Sequence, residues 1–204
     1  MDKTIVIATI GLMILALVAA SIFAYYPLQL QIQPVAPPIV FALGSNAGQP
    51  DLGSSNTITV TLGTNNTSVN ITIHPTYHTT YYKNVTLIKN TDSRAYNVFL
   101  VLDDVTNDLP ANSTVYLIVY SSGATRSLGT GYPEPQVPSG YVAFVNLTAI
   151  STGSRVSIGS LSSGSTWEID FMVFIPEGTR LTGASATFKM HIAYTPGPGS
   201  ETPP

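Results

Sequence analysis

The sequence predicts an all-β sandwich preceded by a hydrophobic N-terminal segment, and three observations carry that reading. After residue 24 apolar residues recur with a period of two, turn clusters interrupt the pattern at short spacing, and no stretch keeps helical spacing over three turns. A period of two puts alternate side chains on one face, as a half-buried strand requires. Many short strands divided by Gly, Pro, Asn and Ser argue for antiparallel sheets packed face to face.

The first element is the run from Thr4 to Ala24, TIVIATIGLMILALVAASIFA, 21 residues without a charge. That length suffices for a bilayer-spanning helix. Asp2 and Lys3 make a short leading region, and Val18-Ala19-Ala20 or Ile22-Phe23-Ala24 offer small-residue cleavage positions, so residues 1–24 read as a signal peptide or a retained membrane anchor. A type IV pilin leader needs a basic residue followed by Gly or Ala before its helix, and here Thr4 follows Lys3.

The next segment alternates: Leu28, Leu30 and Ile32 with Gln29, Gln31 and Gln33. Pro34, Pro37 and Pro38 then form an extended spacer, because proline lacks an amide donor and has a fixed φ. A second apolar run, Ile39 to Leu43, follows, so residues 25–43 read as an N-terminal strand with its spacer. An isolated alternating strand is a liability unless covered. It either folds into its own sandwich or completes the sheet of a neighbouring molecule.

Residues 44–196 form the expected sandwich domain. Ile58, Val60 and Leu62 alternate with threonines, and Val69, Ile71 and Ile73 with Asn70, Thr72 and His74. Further strands are expected at Tyr81–Lys89, Tyr96–Asp103, Thr114–Tyr120, Tyr141–Ile150, Trp167–Ile175 and Ala186–Tyr194. The expected core holds Val85, Leu87, Phe99, Val101, Leu117, Val119, Phe144, Ile169, Phe171, Val173, Phe188, Met190 and Ile192. The chain ends in TPGPGSETPP, whose Pro and Gly density predicts a disordered tail over 197–204.

Composition excludes several functions. The chain has no cysteine, hence no disulfide framework, thiolate nucleophile or Cys-zinc centre. Its net charge is −3, so nucleic acid is not an expected partner. Membrane contact is expected only through residues 4–24.

Two blocks carry a family resemblance. SVNITIHPTYHTTYYKNVTLIKNTDSRAYNVFLVLDD (Ser68–Asp104) runs as strand, Pro-containing bend, strand into Lys-Asn-Thr, turn, and apolar strand. TWEIDFMVFIPEGTRLTGASATFKMHIAYTP (Thr166–Pro196) ends in a strand pair joined by Pro176-Glu177-Gly178-Thr179. Together they resemble the TasA/camelysin-like jelly rolls, which include archaeal bundling-pilus, thread and cannula subunits. The resemblance implies a jelly-roll-like antiparallel β-sandwich, exported, that builds extracellular filaments by donor-strand complementation. In that scheme the first strand after the signal peptide inserts into the next subunit. By position the role falls on Tyr25–Gln33, extended to Leu43, with Leu28, Leu30, Ile32, Ile39 and Phe41 as anchors. At roughly 1.5–3 kcal/mol per buried Leu or Ile, three anchors supply on the order of 5–9 kcal/mol before ordering costs. The same residues also suit the ordinary first strand of a monomer.

Six Asn-x-Ser/Thr triplets, at Asn65, Asn66, Asn70, Asn84, Asn112 and Asn146, are expected surface positions open to N-glycosylation. Asp103, Asp104, Asn107 and Asp108 concentrate oxygen ligands of the kind calcium prefers, although they equally suit a turn bonded to its own backbone. No other cofactor is expected. His74 and His78 are four apart, but Pro75 lies between them and no Glu accompanies them, so they read as exposed loop residues. Glu168 and Asp170 share a strand face beside Trp167 and read as surface charges. No Gly-x-Ser-x-Gly elbow frames a nucleophile. The expected function is therefore a non-catalytic subunit of an extracellular filament for cell–cell linkage or biofilm matrix, with copies of itself as partners. The rival is a monomeric or membrane-anchored cell-surface sandwich that binds glycans or an envelope partner.

Overall fold

The computed structural model describes residues 2–18, 25–127 and 137–197. The chain divides into two units, residues 1–35 and 36–204. The first contains α1 (Lys3–Val18), an uncharged helix after its first residue, and then residues 25–35, which form neither helix nor strand. Among the described residues no helix is long and apolar enough to cross a membrane. Most of the expected cleavage positions, residues 19–24, lie outside the described residues.

The second unit is built from antiparallel strands: β1 (Ile39–Leu43), β2 (Thr59–Leu62), β3 (Val69–Thr72), β4 (His78–Asn90), β5 (Tyr96–Asn107), β6 (Thr114–Ser121), β7 (Ala143–Asn146), β8 (Arg155–Leu161), β9 (Thr166–Ile175) and β10 (Ala186–Pro196). One sheet runs β1-β4-β9-β6-β7, a second runs β10-β5-β8, and β2 pairs with β3 as a hairpin. The two larger sheets enclose one core. Ile88, Val115, Leu117, Val119, Ile169, Phe171 and Val173 come from the first; Val98, Leu100, Ile158 and Leu161 come from the second. At β7 and β8 the sheets adjoin.

In β6 and β9 the expected inward residues Leu117, Val119, Ile169, Phe171 and Val173 are inward, and Ile118, Tyr120 and Met172 on the opposite face are buried as well. In β5 the expected face is reversed: Val98, Leu100 and Leu102 are buried, whereas Phe99 and Val101 are only half-buried. The run VFLVL is apolar on both faces, so its periodicity does not choose between them, and a one-residue slip exchanges every side chain. In β4 a register shift between Tyr82 and Thr86 puts Val85 and Ile88 inside and leaves Leu87 half-buried.

β8 was not expected at all. Its sequence, RVSIGSL, carries two serines and a glycine at φ +135°, which mask the alternation of Val156 and Ile158. Thr195 and Pro196 remain in β10 opposite Asn97 and Tyr96, and the Gly197 amide donates to the Ala95 carbonyl at 2.9 Å. The rest of the tail, residues 198–204, lies outside the described residues.

Candidate functional site

The segment Tyr25–Gln33 presents its apolar row to solvent: Leu28 is 93 %, Leu30 78 % and Ile32 76 % exposed. Three aliphatic side chains at alternate positions, outside any strand, forgo the burial energy that alternation is suited to collect.

Ile39 and Phe41, expected in the same donated segment, belong instead to the body. They lie in β1, antiparallel to β4, with Ile39 opposite Asn90 and Phe41 opposite Ile88. Ile39 is buried, and Phe41 packs against the core from a half-buried position. The end of β1 is stitched to the β4 bulge. The Gly44 amide donates to the Val85 carbonyl at 3.1 Å, the Asn46 amide donates to the Asn84 carbonyl at 3.2 Å, and Thr86 Oγ1 donates to the Ala42 carbonyl at 2.8 Å. A Cβ on residue 44 would stand 2.0 Å from the Asn84 carbonyl oxygen, so only glycine permits this approach. Of the five expected anchors, Leu28, Leu30 and Ile32 lie in no strand.

On β7 and β8, Ala143, Val145, Ile158 and Leu161 are buried, while Phe144 and Val156 are half-buried. Phe188, Met190, Ile192 and Tyr194 on β10 are only partly buried against the core, and so are Phe41, Val60 and Ile71 on β1 to β3. β10 and β1 end their respective sheets.

On the other face of the five-stranded sheet lies a buried ionic cluster that the sequence reading placed at the surface. Glu168 is 7 % exposed and Asp170 is fully buried. Strand alternation correctly puts both on one face, but Arg126, from the β6–β7 connection, covers them. Its Nη2 donates to Glu168 Oε2 at 2.5 Å and to Asp170 Oδ1 at 3.1 Å, while Nε donates to Asp170 Oδ2 at 3.0 Å. The guanidinium also stands 4.5 Å from the Tyr120 ring centroid. Asp170 accepts further bonds from Tyr81 Oη at 2.6 Å and from the Asn84 amide at 2.7 Å. This last bond holds the β4 bulge, where Asn84 has φ +45°. Burial alone raises the Glu168 carboxyl, but the Gly123 amide and the guanidinium more than reverse it and hold it below the ordinary glutamate range. Burial, reinforced by the bond to Asp170, pushes the Tyr81 hydroxyl far up. Every carboxylate oxygen in the cluster accepts a bond from the protein, which makes it a fastening for the connection between β6 and β7. Arg126 is 42 residues from Glu168 along the chain, so no local pattern announces the pairing.

The expected calcium ligands do not converge. Lys189 Nζ donates to Asp104 Oδ2 at 2.9 Å, His191 Nδ1 lies 2.7 Å from Asp103 Oδ1, and Asn107 Oδ1 accepts from the Leu109 amide. Asp108 uses its amide to bond the Ser185 carbonyl. Among the described residues no group of three acidic or histidine side chains is placed to hold a metal ion. The histidines expected to be exposed are half-buried and engaged: His74 Nδ1 lies 3.0 Å from Asp51 Oδ2, and His78 Nε2 3.4 Å from Glu177 Oε2.

Of the six glycosylation triplets, Asn65, Asn66, Asn70 and Asn112 are exposed. Asn146 is half-buried, its Oδ1 accepting from the amide and hydroxyl of Thr148. Asn84 departs from the expectation. It sits half-buried in the bulge, and Thr86 of its triplet is 2 % exposed.

A cleft of about 370 Å³ is lined by five serines and Thr166 around Leu161 and Trp167. Trp167 is only 4 % exposed, so it offers no ring face on which a sugar would stack. No protein-family model and no curated protein matches this chain.

Proposed function

We propose that this chain is the structural subunit of an extracellular filament, in which Tyr25–Gln33 of one copy completes the jelly-roll-like body of the next. The observation that carries the reading is the pairing of two incomplete parts in one chain. One is a strand-patterned segment with its three apolar side chains in water; the other is a body whose flank leaves core residues half-covered. A strand donated between copies forms main-chain bonds and buries alternate side chains together. Because donor and acceptor are different surfaces, the contact does not close on itself and propagates as a filament.

Export through residues 1–24, as a cleaved signal or a retained anchor, brings the subunit to the cell surface. The partner is a second copy; neither nucleic acid nor a resident cofactor enters the proposal, and the role is mechanical, linking cells or building matrix. Exposed, uncharged Asn, Ser and Thr on the body suit a glycosylated surface.

Deletion of Tyr25–Gln33 tests the reading. The truncated chain is expected to stay monomeric by size-exclusion chromatography and negative-stain microscopy. The peptide YYPLQLQIQ is expected to slow growth of the full chain by capping its ends. Normal filaments from the truncated chain contradict the proposal.

A further inference from the structure

We infer that the acceptor is the free edge of β10, where the donated segment lies beside Phe188, Met190 and Ile192 as a fourth strand of the smaller sheet. The inference rests on strand donation and asks which edge receives the strand. Among the described residues six strands end a sheet: β1, β7, β8, β10 and the hairpin strands β2 and β3. A nine-residue donor spans about 30 Å at about 3.3 Å per residue. β2, β3 and β7 have four residues each and β1 five, too short to pair along that length. β8 has seven, interrupted by Gly159, and it adjoins β7. β10 has eleven residues, about 36 Å, and pairs only with β5 among the described residues.

Burial points to the same edge. Along β10 the half-buried residues Ala186, Phe188, Met190 and Ile192 alternate with exposed Thr187, Lys189 and His191. The donor has the matching pattern, Leu28, Leu30 and Ile32 against Gln29, Gln31 and Gln33. Laid beside β10, its apolar row extends the half-covered core, where Phe188, Met190 and Ile192 already pack. Its glutamine row joins the polar outer row that contains the Lys189–Asp104 and His191–Asp103 pairs. Cross-strand neighbours of like character on each face are the stabilising unit of a sheet. A long edge with an apolar inner row invites pairing unless something guards it. On β10 the outward guard is the Lys189 ammonium, with His191, each tied to an aspartate of β5.

Absence of native cysteine makes the test clean. Full chains carry Gln31→Cys together with one of Thr187→Cys, Lys189→Cys or His191→Cys, all at exposed positions. Three acceptor positions cover the register. After mild oxidation of assembled material, at least one pair is expected to give a denaturant-resistant ladder of covalent oligomers. Control pairs join Gln31→Cys to Val40→Cys on β1, Asn146→Cys on β7 or Ser157→Cys on β8, and are expected to give no ladder. Filaments that need Tyr25–Gln33 but crosslink only through a control strand overturn the β10 assignment and leave donation standing. Crosslinked monomers without a ladder place the segment on its own body and overturn both. So does assembly that survives deletion of Tyr25–Gln33.

Discussion

At the residue scale the least replaceable side chain is Arg126. It is the cation that faces both Glu168 and Asp170, and its side chain is 8 % exposed. Removing one partner of a buried ionic group leaves uncompensated charge, at a cost of about 3–5 kcal/mol. Arg126→Met is therefore expected to lower unfolding free energy by that amount in urea titration, and a loss below about 1 kcal/mol contradicts the fastening role. The same cluster sets a pH dependence. The folded Glu168 carboxyl is held below its ordinary value near 4.5, so its contribution is complete above about pH 4.5 and is lost as pH falls through the lowered value. Asp51, held low by the Leu52 amide and His74 against the opposing effect of burial, adds in the same direction. Thermal melts are expected to drop on the acid side, and Glu168→Gln to flatten that drop; an equally steep drop in the variant contradicts the assignment. Because Asp104 is paired with Lys189 and Asp103 lies in hydrogen-bond contact with His191, a calcium chelator is expected to leave assembly intact, and filaments dissolving under chelation contradict this. The sequence showed the shared face of Glu168 and Asp170 but not its burial, since the covering residue comes from a distant connection.

At the element scale, legibility followed the contrast between faces. In β9 Glu168 and Asp170 mark the outer row, so alternation identifies the inner one, although Arg126 buries that outer row too; in β6 Ile118 and Tyr120 make both faces apolar, and both are buried. β5 carries apolar residues on both faces, so its parity was set by packing. β8 was hidden by Ser and Gly in a strand whose neighbours supply the hydrophobic context. β1 was read as part of the donor because its apolar run continues the N-terminal pattern past the prolines. What assigns it to the body is the contact of Gly44 with the β4 bulge, invisible without the partner strand. Gly44→Ala is accordingly expected to destabilise the body by about 1–3 kcal/mol through overpacking against main chain, measured by urea titration. Unchanged stability contradicts that contact. Leu30→Asp with Ile32→Asp is expected to abolish filaments while leaving the melting temperature of the body unchanged. That separates donation from folding, because these side chains are solvent-exposed in the single chain.

At the scale of the whole molecule, the proposed donor is legible in the sequence, whereas the proposed acceptor is not. A row of leucines and isoleucine spaced by glutamines, followed by prolines, announces a strand meant to be covered. The proposed acceptor depends on sheet order, since β10 and β1 become edges only when the described strands are assigned to their sheets. Partial burial of Phe188, Met190 and Ile192 is a property of that arrangement, whereas alternation alone assigns all three to the core. The most direct measurement is a helical cryo-electron microscopy reconstruction of filaments grown from the chain. The account expects density for Tyr25–Gln33 as a strand in the adjoining subunit, with Leu28, Leu30 and Ile32 turned into its core beside β10. Density that returns the segment to the subunit it belongs to, or leaves β10 of every copy unpaired on its outer side, contradicts it.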